Sequence, residues 1–153
     1  MATFYDVPAD ALLDALADEL EERIETPAWA EFVKSSADRE LAPEQDQFWS
    51  RRTASILRKI AIDGPVGVGS LRKEYGGVPD GTCRYGVKPG HQVPGSGKIV
   101  RSIVQQLETE GLVEEVGSEG RGITSDGHQL LNETAEAVLE NLAEERPELQ
   151  RYA

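Results

Sequence analysis

The sequence is poor in the residues that build closed chemical sites. It has one cysteine (Cys83), two histidines (His91 and His128) and 6% aromatics in 153 residues. A lone cysteine excludes an internal disulfide framework. With only two histidines, in unrelated stretches, it also leaves no basis for a zinc site. Long apolar runs are missing too. A membrane-spanning helix needs about 20 mostly apolar residues, and no such run occurs. The stretch Met1 to Asp10 lacks a basic start and an apolar core, so no secretory leader is expected. Hydrophobic residues make up 39% of the chain, enough for one modest core. The expectation is a cytosolic chain without metal or cofactor.

Basic charge is also in deficit, with 16 Lys+Arg against 28 Asp+Glu and a formal charge of −12. Nucleic-acid domains usually carry a basic surplus, so the total argues against that class. The distribution reverses the argument. Residues 48–105 hold ten basic side chains (Arg51, Arg52, Arg58, Lys59, Arg72, Lys73, Arg84, Lys88, Lys98, Arg101) against Asp63, Glu74 and Asp80. That is a net +7, leaving −19 on the rest. The acidic residues of the flanks are spread out, and arginine outnumbers lysine eleven to five. This pattern suits a very salty cytosol, where hydrated carboxylates keep the protein soluble and their repulsion is screened within about 3 Å at molar salt.

Apolar periodicity orders the chain. Asp10 to Glu25 reads as a helix with Leu12, Leu16, Leu20 and Ile24 on one stripe. Thr26-Pro27 predicts a second helix, with Thr26 as its cap and Trp29, Phe32 and Val33 buried. Residues 44–62 form the most informative helix. At roughly 100° per residue, Arg51, Arg52, Ser55, Arg58, Lys59 and Phe48 share one sector of about 120°. Trp49, Thr53, Ala54, Ile56, Leu57, Ile60 and Ala61 take the opposite side. No acidic residue lies between Asp46 and Asp63, so the four cations have no partner along the helix, which points to an anionic ligand. Ser70 is expected to cap a short helix, Leu71 to Tyr75. Neither Val66 to Ser70 nor Pro94 to Lys98 matches the nucleotide-phosphate loop, Gly-x4-Gly-Lys-Ser/Thr.

Residues 76–97 carry seven glycines and three prolines and read as a long loop with little structure of its own. Arg84, Lys88, His91 and Tyr85 give it charge and a stacking group. A helix from Ser96 or Gly97 to Glu110 follows, then a hairpin of Leu112 to Val116 and Arg121 to Thr124. A last helix, capped by Ser125 or Asp126, turns Leu130, Leu131, Val138, Leu139 and Leu142 inward and ends at Pro147. This order predicts a mainly α winged helix-turn-helix with a small β-hairpin wing carrying Arg121. It forms one domain over 1–146 with a frayed tail, 147–153. Winged helices serve several functions. The alternative is a DNA-binding transcription regulator, disfavoured because residues 97–110 carry only Lys98 and Arg101 as cations. An enzyme is a distant third, since no catalytic constellation is visible.

The motifs, in order, resemble the archaeal and eukaryotic small-subunit ribosomal protein family called S-nineteen-e. They are Phe4-Tyr5-Asp6-Val7, Pro27-Ala28-Trp29, Glu40-Leu41-Ala42-Pro43, Arg52 through Ser55 and Arg58, Gly67-Val68-Gly69-Ser70-Leu71, Tyr75-Gly76-Gly77, Ile103 to Glu108 and Gly120-Arg121. The resemblance implies extra N-terminal helices packed around the central amphipathic helix. It also implies a structural role in the head of the small ribosomal subunit, late in whose maturation members act. Partners would be ribosomal RNA and neighbouring ribosomal proteins, with no membrane and no small-molecule substrate. Arg52 and Arg58 fall on family arginines, and Lys73, Arg101 and Arg121 on family basic positions. Ser55, Gly67, Gly69 and Ser70 lie in its RNA-contacting motifs. Pro89 and His91 match the family in the loop, and charge and position add Arg51, Lys59, Arg72, Arg84, Lys88 and Lys98. Two features depart from the family: a longer Val78 to Tyr85 loop and the acidic surplus.

Overall fold

The computed structural model describes residues 2–81, 84, 87 and 89–148. Helix α1 (Ala9–Arg23) buries Leu12, Leu16, Ala17 and Leu20, the predicted stripe. Helix α2 (Phe48–Asp63) buries Trp49, Thr53, Ala54, Ile56, Leu57 and Ile60. It sits at the centre, packed against α1 and, beyond α3 (Val68–Glu74), against α4 (Gly97–Thr109) and α5 (Ser125–Glu145). Trp49 is 2% exposed, and its indole N–H donates to Gln106 Oε1 at 2.9 Å, so its burial leaves no polar group unmet.

The wing is an antiparallel pair, β1 (Val113–Val116) and β2 (Gly120–Ile123), with Val116 opposite Gly120. Val66, between α2 and α3, extends it: Val66 and Arg121 exchange both backbone hydrogen bonds at 2.9 Å. Gly120 makes this approach possible. Its φ is +126°, and a Cβ there would lie 2.5 Å from the Val66 carbonyl. The fold is mainly helical with a small hairpin wing, as expected. Among the described residues no helix is long and apolar enough to cross a membrane.

Several local expectations are corrected. The central helix begins at Phe48, not residue 44, because Gln47 takes a left-handed conformation at φ 58°. Its amide donates to Asp18 Oδ1 at 3.2 Å and Glu21 Oε2 at 2.6 Å, fixing the break against α1. The helix expected after Pro27 is only a short 3-10 stretch, Ala28–Phe32, with Pro27 itself at the cap position. The chain turns extended at Val33, so the stripe stops and Phe32 is 81% exposed rather than buried. Helix α3 starts at Val68 with Gly67 as cap; Ser70 lies inside its first turn. Thr124, not Ser125 or Asp126, caps α5, its hydroxyl accepting from Gly127 N–H at 3.2 Å.

The 76–97 segment is better held than its composition suggests. Gly77 and Val93 exchange backbone hydrogen bonds at 3.2 and 2.8 Å. Gly95 N–H donates to the Arg72 carbonyl at 2.7 Å, and Ser96 N–H to the Ser35 carbonyl at 2.8 Å. Its base is therefore a closed neck. Cys83, Tyr85 and Lys88 lie outside the described residues.

Candidate nucleic-acid interface

The apolar half of α2 fixes where its basic half points. Burying Trp49, Ile56, Leu57 and Ile60 leaves Arg51, Arg52, Ser55, Arg58 and Lys59 half-exposed along one side of a rigid helix. The predicted sector is intact. The four cations have no partner along the helix, but two of them meet carboxylates that arrive from other elements. Arg51 Nη2 lies 2.9 Å from Asp14 Oδ1 on α1, and Lys59 Nζ lies 3.1 Å from Glu74 Oε2 on α3. The sequence between Asp46 and Asp63 could not reveal carboxylates that arrive from other elements. Both partner carboxylates are more than half exposed. Such pairs are worth at most about 1 kcal/mol, so a phosphate can displace them.

Arg52 and Arg58 have no carboxylate within ion-pair distance among the described residues. The Arg52 guanidinium lies between two rings, 5.0 Å from the Phe48 centroid and 4.2 Å from that of Tyr75. Lys59 Nζ stands 5.7 Å from the same tyrosine ring. The Tyr75 hydroxyl and Ser55 Oγ share a hydrogen bond of 2.6 Å, which fixes the ring. Burial pushes the Tyr75 pKa up, against the Ser55 hydrogen bond and the Arg52 charge. Burial pulls the Arg52 pKa down, yet an arginine stays cationic. Arg58 Nε is sealed from solvent with no hydrogen-bond partner among the described residues. A buried donor left unmet is costly, and a turn of the side chain that brings this N–H to an arriving acceptor would relieve it.

Phe48, Tyr75, Arg51, Arg52 and Ser55 line one surface recess with Leu13 and Gln45. Phe48 was legible from its place four residues before Arg52. Nothing local pointed to Tyr75, which reaches the site because the C-terminal end of α3 comes to lie beside α2.

The remaining predicted residues divide. Gly69, Ser70 and Lys73 are exposed on α3, and Gly67 is half-exposed at its start. A Cβ at Gly67 or Gly69 would meet nothing within 4 Å, so this face is open. Arg72 Nε donates to the Gly95 carbonyl at 3.0 Å. The Arg101 Nη1 and Arg72 Nε atoms both approach Gly97, where a Cβ would lie 2.9 and 3.2 Å from them. Lys98 Nζ sits 4.5 Å from the Trp29 ring centroid, and Trp29 meets Trp49 edge-on at 5.4 Å. Arg84 and His91 are exposed in the loop, His91 in a recess with Pro79, Asp80 and Pro89. Arg121 stands apart. Its Nε donates to Glu108 Oε1 at 2.8 Å and its Nη1 lies 3.7 Å from Glu115 Oε1. Arg121, placed on the wing as expected, is paired by carboxylates of its own chain. The Glu108 hydrogen bond pushes the Arg121 pKa up.

The family model Ribosomal protein S19e matches residues 3–141. The small ribosomal subunit protein eS19 of the halophilic archaeon Haloarcula marismortui is 54% identical over 155 residues, covering 100% of both chains. The eS19 protein of Aeropyrum pernix is 39% identical over 99% of both chains. The eS19B protein of Schizosaccharomyces pombe is 36% identical over 89% of this chain and 94% of its own.

Proposed function

The chain belongs to the ribosomal protein S19e family, and on that premise we propose that it is a structural constituent of the small ribosomal subunit that holds folded ribosomal RNA against the basic side of α2. As a ribosomal protein it works in the cytoplasm, beside other proteins of the subunit. The observation that carries the RNA reading is the pair Arg52 and Arg58: two cations on one helix face, unmatched by carboxylates among the described residues, one braced between aromatic rings and one with a sealed N–H that has no partner among those residues.

The mechanism follows from the geometry. The core fixes α2, so its cations are pre-aimed. Arg51 and Lys59 exchange Asp14 and Glu74 for phosphates, and Arg52 and Arg58 meet phosphates without that exchange. The open face at Gly69 and Ser70, with Lys73, lets a sugar-phosphate backbone come close. Arg72, Lys98 and Arg101 extend the contact toward α4, and the loop bearing Arg84, Lys88 and His91 threads between RNA segments. In molar salt, counterion release contributes little. Bidentate arginine hydrogen bonds and stacking then carry more of the affinity, which suits a chain richer in arginine than lysine. The family resemblance of the motifs supports placement in the subunit head and a part in its late maturation.

The test is filter binding of the full chain to deproteinised small-subunit ribosomal RNA and to duplex DNA of matched length. Preference for the RNA, lost in Arg58→Glu, supports the reading. Equal binding to duplex DNA, or none to the RNA, contradicts it.

A further inference from the structure

We propose that Phe32 is a stacking platform for an unpaired base of the bound RNA, with Lys34 and Arg72 taking the flanking phosphates. This subsite rests on the RNA-binding reading but uses an element remote from α2 in sequence. Its periodicity assigned Phe32 to the core, yet the side chain is 81% exposed at the end of the 3-10 stretch. It takes part in none of the ring pairs among the described residues.

A single exposed apolar side chain needs no explanation. The surroundings of this one do. Phe32 lines an open recess with Lys34, Arg72 and Pro94. Among the described residues neither cation has a carboxylate within ion-pair distance. In a chain of charge −12 this is a locally positive spot with a bare aromatic face. An aromatic ring sharing a recess with cations suits single-stranded nucleic acid: the ring takes a base and the cations its phosphates. The rest of the lining is mixed, Ser36 and Ser96 beside Val33, Ala37 and Gly95, and with two cations in it the recess suits a nucleotide, whose base is apolar on its faces and whose phosphates are charged. Arg72 joins the recess to the Arg101 and Gly97 corner, so the subsite continues the proposed interface.

The test uses full-length Phe32→Ala and Phe32→Trp, bound to deproteinised small-subunit ribosomal RNA in about molar KCl. Both variants should melt as the parent does, since the ring is exposed. Phe32→Ala should weaken binding roughly 5- to 100-fold, the range for one lost base stack, and Phe32→Trp should retain it. Ultraviolet crosslinking should place a nucleotide on the peptide that contains Phe32. If Arg58→Glu abolishes binding but Phe32→Ala binds as the parent does, and no crosslink maps to Phe32, the platform is overturned while the RNA reading stands. If Phe32→Ala binds RNA normally yet enters subunits poorly, a protein occupies the recess and the proposal is again overturned. If the parent chain does not bind the RNA at all, both readings fall.

Discussion

Arg52 stands on α2 and Tyr75 caps the C-terminal end of α3, yet the arginine guanidinium lies 4.2 Å from the centre of the tyrosine ring. The contact joins α3 to α2 and holds the cation in one orientation. Tyr75→Phe removes only the bond to Ser55 and should cost about 1 kcal/mol. Tyr75→Ala also removes the platform and should cost about 2–4 kcal/mol, with a further loss of RNA affinity. Urea unfolding midpoints and RNA titrations measure the two effects separately.

The same tyrosine sets an alkaline limit. Its pKa is raised in the folded state, chiefly by burial, above the ordinary 10.0. The folded protein therefore keeps this proton where the unfolded chain loses it. The contribution is fully present below about pH 10 and is lost as pH rises toward the raised value. Stability measured from pH 9 to 11 should fall, and Tyr75→Phe should flatten that part of the decline.

In the proposed interface Asp14 and Glu74, which pair with Arg51 and Lys59, would compete with phosphate. Asp14→Asn and Glu74→Gln should change stability by no more than about 1 kcal/mol. Each should tighten RNA binding in dilute buffer, and the gain should shrink in molar KCl, where the competing pair is already screened. Titrations at two salt concentrations check both parts.

Gly120 lets the wing meet Val66. Gly120→Ala combines φ +126° with a Cβ 2.5 Å from the Val66 carbonyl, and should destabilise the chain by about 1–3 kcal/mol. Hydrogen exchange at the Val66 and Arg121 amides should accelerate first, because those two bonds close the contact.

The acidic flanks imply dependence on salt. With a charge of −12, unfolding temperature should rise as KCl increases toward the molar range. Full stability in dilute buffer would remove the saline-cytosol explanation of the composition.

Much of this was legible in the sequence because periodicity reports directly on burial. Leu12, Leu16 and Leu20 marked α1, Trp49, Ile56, Leu57 and Ile60 marked the inner side of α2, and Ser96 marked the start of α4, where its hydroxyl accepts from Ile99 N–H at 3.4 Å. What stayed hidden depended on contacts between distant residues. Asp14 and Glu74 reach Arg51 and Lys59 from other helices, and Glu108 captures Arg121. Phe32 misled for a local reason. A helical stripe of Trp29, Phe32 and Val33 requires the helix to continue, and it stops at one short 3-10 stretch. The loop at 76–97 misled because composition does not show the backbone pairing of Gly77 with Val93.

The central claim is that the basic side of α2 holds this protein on the small subunit. Its most direct test is sedimentation of a lysate in high KCl carrying either the parent chain or Arg58→Glu, with folding of the purified variant checked by circular dichroism. The account predicts that the parent travels with the small subunit and the folded variant stays near the top of the gradient. A folded variant that sediments with the subunit as the parent does would contradict it.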